Sequence, residues 1–224
     1  MPPGESAANG WTPGGKLRRF CAAISMPMAR TARWLALTFQ PLTPQRWNDL
    51  EKLFGKRGAC GGCWCMSWRL KRSQYEKQKG RRNKSAFKTL VATGPSPGVL
   101  AYVAAEPVGW CAVAPREAHQ RLENSRILAR VDEQPVWSVT CFFVAKPFRR
   151  AGVSVQLLKA AVAHAAKCGA KIVEGYPVEP KKDPMPDVFA WTGIGSAFRM
   201  AGFKEVARRS PARPVMRITV GARE

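Results

Sequence analysis

The chain has 224 residues, 46% of them hydrophobic, and a formal net charge of +22. This length and apolar content suit one domain with a sizeable core and exclude a mostly disordered chain. The sequence contains no run of about 18 uncharged apolar residues, so it predicts no membrane-spanning helix.

The positive charge is spread along the chain. The first 40 residues hold only five Lys or Arg and one acidic residue. Such an excess favours attraction to a polyanion, which leaves RNA, DNA or a phosphorylated cofactor as specific interpretations. A generally solvated basic surface is the alternative.

Seven cysteines are present, and Cys60, Cys63 and Cys65 lie within six residues. The odd count and the apolar surroundings of the others suggest reduced thiols, and therefore a cytoplasmic protein. A structural zinc site needs four ligands, and no second Cys or His cluster follows. A redox Cys-x-x-Cys should follow a strand and open a helix. We therefore expect no metal and favour a tight turn, with metal and redox sites as alternatives.

Residues 1–30 are rich in Pro, Gly, Ala and Ser and lack a sustained period, so they are predicted to form a flexible extension before a single domain at 31–224. A basic stretch at 16–20 precedes a short apolar segment. That segment soon meets Pro27 and Arg30, which argues against a signal peptide.

Apolar periodicity predicts alternating strands and helices along the rest of the chain. In order, we expect a strand at 34–39, helices at 44–54, 64–78 and 83–92, a hairpin of strands at 99–103 and 108–113, a helix at 117–128, a central strand at 136–144, a helix at 155–168, a strand at 171–176, a short helix at 196–201, and paired strands at 203–207 and 215–220.

The turn between the predicted central strand and the helix after it is basic and contains Gly152. A strand that leads through such a turn into a helix directs backbone N–H groups, the positive helix end and arginine side chains toward one point. A diphosphate would fit there. Glycine chosen only for close packing is the alternative.

The spacing Arg149-x-x-Gly152-x-Ser154 resembles the acetyl-CoA signature of the GNAT acetyltransferase superfamily, with Ser154 where Gly or Ala is usual. The resemblance extends over about residues 34–220. The stretch Gly62-Cys63-Trp64-Cys65-Met66 is similar to one in an uncharacterised bacterial branch of that superfamily.

The resemblance implies an α/β (α+β) fold with a mixed, mostly antiparallel sheet, helices on both faces and a central splay between strands. It implies acetyl-CoA as co-substrate and no metal. The implied cofactor contacts are Phe143 and Val144 for the pantetheine arm, and Arg149, Arg150, Ala151, Gly152, Val153 and Ser154 for the pyrophosphate.

The resemblance also implies direct acyl transfer to a primary amine of an unknown acceptor, which is a small molecule or a protein. The usual acid is a tyrosine, but that position is Phe198. We therefore consider Ser196 and Tyr176, or solvent, as the acid and Glu174 as the base. A carboxylate paired with a nearby cation is the alternative for Glu174.

The implied substrate pocket includes Cys63, Trp64, Cys65 and Trp68, with core packing as the alternative for the tryptophans. His119 and His164 have no sequence partner for a nucleophilic triad. A homodimer is compatible with the sequence, and a membrane partner is not expected. Two other functions stay open, a basic nucleic-acid-binding protein, which is not favoured because no binding motif is present, and a non-catalytic CoA-binding sensor.

Overall fold

Seven strands form one sheet in the computed structural model, which describes residues 36–180, 186 and 189–221. The predicted extension at 1–30 lies outside these residues. The strands are β1 (Leu37–Pro41), β2 (Gly98–Val103), β3 (Glu106–Pro115), β4 (Trp137–Val144), β5 (Ile172–Gly175), β6 (Lys204–Arg208) and β7 (Pro214–Thr219).

The sheet order is β1-β2-β3-β4-β5-β7-β6. Every neighbouring pair is antiparallel except β4 and β5, which run parallel. The predicted mixed, mostly antiparallel sheet is therefore confirmed. The strand expected at 136–144 is β4, which lies at the centre and is covered on both faces as its apolar sequence requires.

Six α-helices flank the sheet within the described residues. They are α1 (Trp47–Phe54), α2 (Arg72–Gln78), α3 (Arg81–Thr93), α4 (Gln120–Glu123), α5 (Val153–Lys167) and α6 (Gly195–Met200). Alternate residues of β2 face opposite cores, because side chains alternate along a strand. Ala101 packs with α5, whereas Leu100 packs with α1 and α3. Helices thus cover both faces, as predicted.

The sheet splits open beside β4. Strands β4 and β5 pair only from Trp137 to Val139 on β4, opposite Val173 to Gly175 on β5. Thr140 is an extra residue in the β3–β4 ladder, which bulges between Ala112 and Val113. Bulges increase local twist and bend a strand. Beyond the bulge, β4 runs away from β5, which gives the predicted splay.

Two helix predictions were wrong in extent. Of the segment 64–78, only Arg72–Gln78 is helical, because Trp64 and Cys65 have positive φ values of 43° and 53° that a right-handed helix does not allow. Of 117–128, only Gln120–Glu123 forms an α-helix, after a 3₁₀ turn at Arg116–Ala118. Within the described residues, no helix is long and apolar enough to cross a membrane.

Candidate active site

The splay exposes backbone N–H groups of β4. The amide of Phe142 points away from β3 and donates to the carbonyl of Trp191 at 2.7 Å. Amides two residues apart on a strand point to the same side, so the N–H of Val144 also points into the splay. Strand β5 no longer pairs at this level. Val144 therefore offers a hydrogen-bond donor inside the opening.

The turn that follows β4 gathers further amides. Arg150 and Gly152 both have positive φ, 59° and 76°. Gly152 begins α5, whose first turn has no acidic residue and no side-chain cap. Within the part of the chain that the structure describes, the amides of Gly152, Val153 and Ser154 have no acceptor. This group of donors at a helix N-terminus can bind an anion.

Space for that anion is present at Gly152. A Cβ added there would meet no atom within 4 Å, so this glycine is not explained by close packing against a neighbour. Its positive φ would strain the backbone of most residues that carry a Cβ. The position thus combines a conformation that suits glycine with open volume in front of the amides.

A cavity of about 390 Å³, called here the splay cavity, joins these features. Seven of the eight residues predicted to bind the cofactor line this cavity. These are Phe143, Val144, Arg149, Arg150, Gly152, Val153 and Ser154. Ala151 does not line it, although it lies inside the turn. The side chain of Arg149 donates from Nε to the carbonyl oxygen of Val144 at 2.9 Å, which ties the turn to the end of β4.

The two predicted catalytic residues of the β5 region, Glu174 and Tyr176, belong to a buried ion network. Glu174 is fully buried and accepts from Arg116 at 2.9 Å and from Arg217 at 2.7 Å. Tyr176 donates to Glu174 at 2.5 Å and accepts from Arg116 at 2.7 Å. Burial, followed by the negative charge of Glu174, raises the pKa of Tyr176 well above its usual range. Neither residue lines the splay cavity.

The remaining predicted proton donor, Ser196, lies on α6 and is exposed, outside the splay cavity. Its neighbour Phe198 is fully buried. The Phe198 ring packs against Phe142 and Phe203, with ring centroids 6.1 Å and 5.0 Å apart. A Cβ on Gly175 would come within 2.0 Å of this ring. Phe198 therefore fills the core beneath the site.

The cysteine stretch forms a tight turn around Trp64. Gly58 lies against the indole, since a Cβ there would be 2.1 Å from Nε1 of Trp64. Burial raises the pKa of Cys63 to about 11. Cys65 is buried and accepts a hydrogen bond from Nε1 of Trp110 at 2.9 Å. Across the described ranges, no three His, Cys, Asp or Glu side chains are grouped as metal ligands.

The four residues predicted to shape a pocket are separated. Trp64 packs in the core beneath α1 and α3 and lines a basic cavity of about 570 Å³. Cys63 and Cys65 line neither that cavity nor the splay cavity. Trp68 lines a third cavity, of about 710 Å³, together with Trp191. Trp191 also lines the splay cavity, so it separates the two spaces.

Sequence reasoning did not assign several lining residues. The sequence before Trp191 has no periodicity, and nothing local marks this residue. Arg213 was given no role in the prediction. Cys60 lines the splay cavity, although its stretch was examined for metal and not for this opening. Only the chain fold brings these residues together.

The sheet splays beside a glycine-containing turn whose amides suit an anion. Residues 64–183 match the acetyltransferase (GNAT) family. The chain therefore belongs to the GNAT acetyltransferase family, and it is an acyltransferase.

Solved structures share the fold at low sequence identity. A GNAT-family acetyltransferase from Listeria monocytogenes is 8% identical, with a TM-score of 0.51, and the match covers 82% of this chain and 94% of that one. NAA60 from Arabidopsis thaliana, in complex with acetyl-CoA, is 12% identical, with a TM-score of 0.44 and coverage of 82% and 99%. A comparison with curated proteins finds no match.

Proposed function

We propose that the protein transfers an acetyl group from acetyl-CoA directly to a primary amine. The observation that supports this most strongly is the splay cavity, where the Val144 amide and the amides of the turn at 152–154 open into one space. The turn suits a pyrophosphate, and the end of β4 suits an extended, amide-containing arm. Acetyl-CoA carries both groups.

In the proposed reaction, the amine nitrogen attacks the thioester carbonyl, and a C–N bond forms as the C–S bond breaks. The N–H of Val144 would stabilise the negative charge on the carbonyl oxygen. The nitrogen loses a proton, and the departing thiolate gains one. Much of the acceleration would come from holding the two substrates in reacting geometry.

The base and the acid stay predictions. Arg116 binds one oxygen of Glu174, Arg217 binds the other, and Tyr176 donates to the carboxylate. These contacts favour Glu174 as a residue that positions Arg116 and Tyr176, and they disfavour proton abstraction by Glu174. Ser196, Tyr176 and solvent stay candidates for the acid. We propose the cytoplasm as the location, supported by cysteines that are free wherever the structure describes them, and a bacterial branch, supported by the stretch at 62–66.

Thermal unfolding with and without acetyl-CoA tests the cofactor site. A ligand at about 100 times its Kd adds roughly 2.7 kcal/mol to native stability, which raises Tm by a few degrees. Gly152→Asp places a negative charge before the amides and should abolish that rise. Gly169→Asp is the matched control, because Gly169 also has positive φ, 88°, and open space around it. Stabilisation lost equally in both variants would contradict the assignment.

Intact mass of the protein tests direct transfer. We expect acetyl-CoA alone to leave the protein mass unchanged, and addition of amines to release CoA and acetylated amine. Cys60 lines the splay cavity. If Cys60 becomes acetylated, and Cys60→Ser abolishes both this acetylation and turnover, direct transfer would be overturned. Binding of acetyl-CoA without transfer to any amine of a broad panel would favour a sensor.

A further inference from the structure

The cavity of about 710 Å³ beside the splay cavity, called here the tryptophan cavity, has the features of an acceptor site. It meets the splay cavity at Trp191. The carbonyl of Trp191 is bound to the amide of Phe142, which fixes this shared wall to β4. A volume of several hundred Å³ suits a small molecule. The inference rests on the proposed transferase function.

One part of the wall is apolar and flat. The rings of Trp68 and Trp191 lie with centroids 5.7 Å apart at an interplanar angle of 32°. Ile127 and Leu128 also line the cavity, and the side chain of Ile127 is 44% exposed. An exposed apolar surface inside a concavity favours a ligand with an apolar body.

The other part of the wall is cationic. Lys71, Arg72, Arg121 and Arg213 line it, and no Asp or Glu occurs among its described lining residues. Arg121 donates to the hydroxyl of Ser67 at 3.3 Å and stacks on Trp68. Within the described part of the chain, these contacts give Arg121 no carboxylate partner.

Arg213 is the cationic residue of this wall that most favours an anionic ligand. It is partly buried, and its Nη1 donates to the hydroxyl of Thr192 at 3.1 Å. Among the described residues, no carboxylate lies within 4 Å of it, whereas the buried Arg116 and the largely buried Arg217 are both paired with Glu174. Burial lowers the pKa of Arg213. Buried charges are normally paired, so this guanidinium suits an anionic ligand.

We propose that the tryptophan cavity binds the acetyl acceptor, and that this acceptor is a small amine bearing a carboxylate or phosphate and an apolar body. Arg213 and Arg121 would hold the anionic group, and Trp68 and Trp191 would contact the apolar part. The cationic wall also disfavours an ammonium ion, so it favours the neutral amine that acts as nucleophile.

Equilibrium binding with matched ligands tests this inference independently of turnover. With CoA present, tryptophan fluorescence is measured on titration with phenylalanine against phenylalaninamide, and with O-phosphoethanolamine against ethanolamine. The two pairs separate a carboxylate from a phosphate. We expect the anionic member, which bears the carboxylate or phosphate, to bind ten-fold or more tightly in at least one pair than its partner, which lacks that group.

Variants then assign the effect to Arg213. Arg213→Gln should weaken binding of the anionic member by about 10- to 100-fold and leave binding of the partner without an anionic group unchanged. Arg82→Gln removes an equal charge from an exposed position on α3 and should change neither. Arg213→Lys, which keeps the charge but loses the planar donor pair, should give an intermediate loss and replaces Arg213→Gln if that variant is unfolded.

Equal or tighter binding of the partners without an anionic group, or a preference for the anionic member that survives Arg213→Gln, would overturn the inference. Acetyl-CoA then separates it from the proposed function. Anion-selective binding without acetyl transfer would support the site and reject the transferase. Acetyl transfer only to amines that lack an anionic group would support the transferase and reject the anionic acceptor.

Discussion

At the scale of single residues, the molecule buries charge in two different ways. Glu174 is enclosed by Arg116, Arg217 and Tyr176, so its charge is compensated on all sides. Arg213, by contrast, has only a neutral hydroxyl partner among the described residues. Compensated buried charge is typical of a structural element, and uncompensated charge is typical of a binding site.

Substitution of Glu174 separates structural from catalytic roles. Glu174→Gln removes the buried carboxylate charge that Arg116 and Arg217 share, although Glu123 and Asp132 still pair with them. We expect it to lower the free energy of unfolding by about 3 kcal/mol. The transfer rate per folded molecule should fall less than ten-fold, with an unchanged pH–rate profile. Denaturant titration and initial rates measure the two quantities. A rate loss above a hundred-fold, with disappearance of the low-pH limb that protonation of the base produces, would instead support Glu174 as the base.

His119 predicts how stability depends on pH. Its Nδ1 lies 3.3 Å from the carbonyl of Pro115 and its Nε2 lies 3.1 Å from the hydroxyl of Thr140, an arrangement that suits the neutral ring. Burial, together with the charge of Arg69, lowers the pKa of His119 to about 3. The unfolded chain, with a histidine pKa of about 6.5, binds the proton first, so stability is complete above pH 6.5 and falls below it.

The expected loss between pH 7 and pH 5 is about 2 kcal/mol from this residue. Denaturant unfolding at both pH values measures it, and His119→Gln should show a correspondingly flatter dependence. Equal slopes in the parent and the variant would mean that His119 is protonated in the folded protein.

At the scale of elements, the cysteine turn depends on glycine more than on sulfur. Gly58→Ala should lower the free energy of unfolding by roughly 2–5 kcal/mol, because the residue has φ of 59° and its Cβ would collide with Trp64. Gly61→Ala is the matched control. Gly61 has φ of 57° and no atom near a Cβ, so only about 1 kcal/mol should be lost.

Denaturant titration measures both alanine variants. A chelator should leave the parent's unfolding curve unchanged. Equal losses in the two variants would show that Trp64 is not packed on Gly58, and a large shift with chelator would revive the metal interpretation.

Elements with a clear period were predictable, and those set by unusual backbone angles were not. The apolar spacing of Val155, Leu158 and Ala165 marked α5, and the continuous apolar run 136–144 marked β4. The helix predicted at 64–78 was wrong because two ordinary side chains, Trp64 and Cys65, adopt left-handed angles that only the packing of the turn explains. Local propensity carries no signal for such a conformation.

At the scale of the whole molecule, the sequence predicted the basic turn at 149–154 but not the second cavity. The turn is contiguous, so strand, glycine and helix could be read in one pass. The tryptophan cavity combines Trp68, Trp191 and Arg213. More than a hundred residues of sequence separate Trp68 from Arg213. The net charge of +22 likewise predicted attraction to anions but did not indicate which part of the surface binds them.

The short parallel ladder between β4 and β5 divides the sheet into two sets of strands. The four from β1 to β4 are consecutive along the chain and pair with their neighbours, whereas β5, β7 and β6 come later. Only three residues of each strand join the sets. The first set is synthesised before the second, but the cleft exists only after the second has docked. Acquisition of substrate binding should thus coincide with the last step of folding.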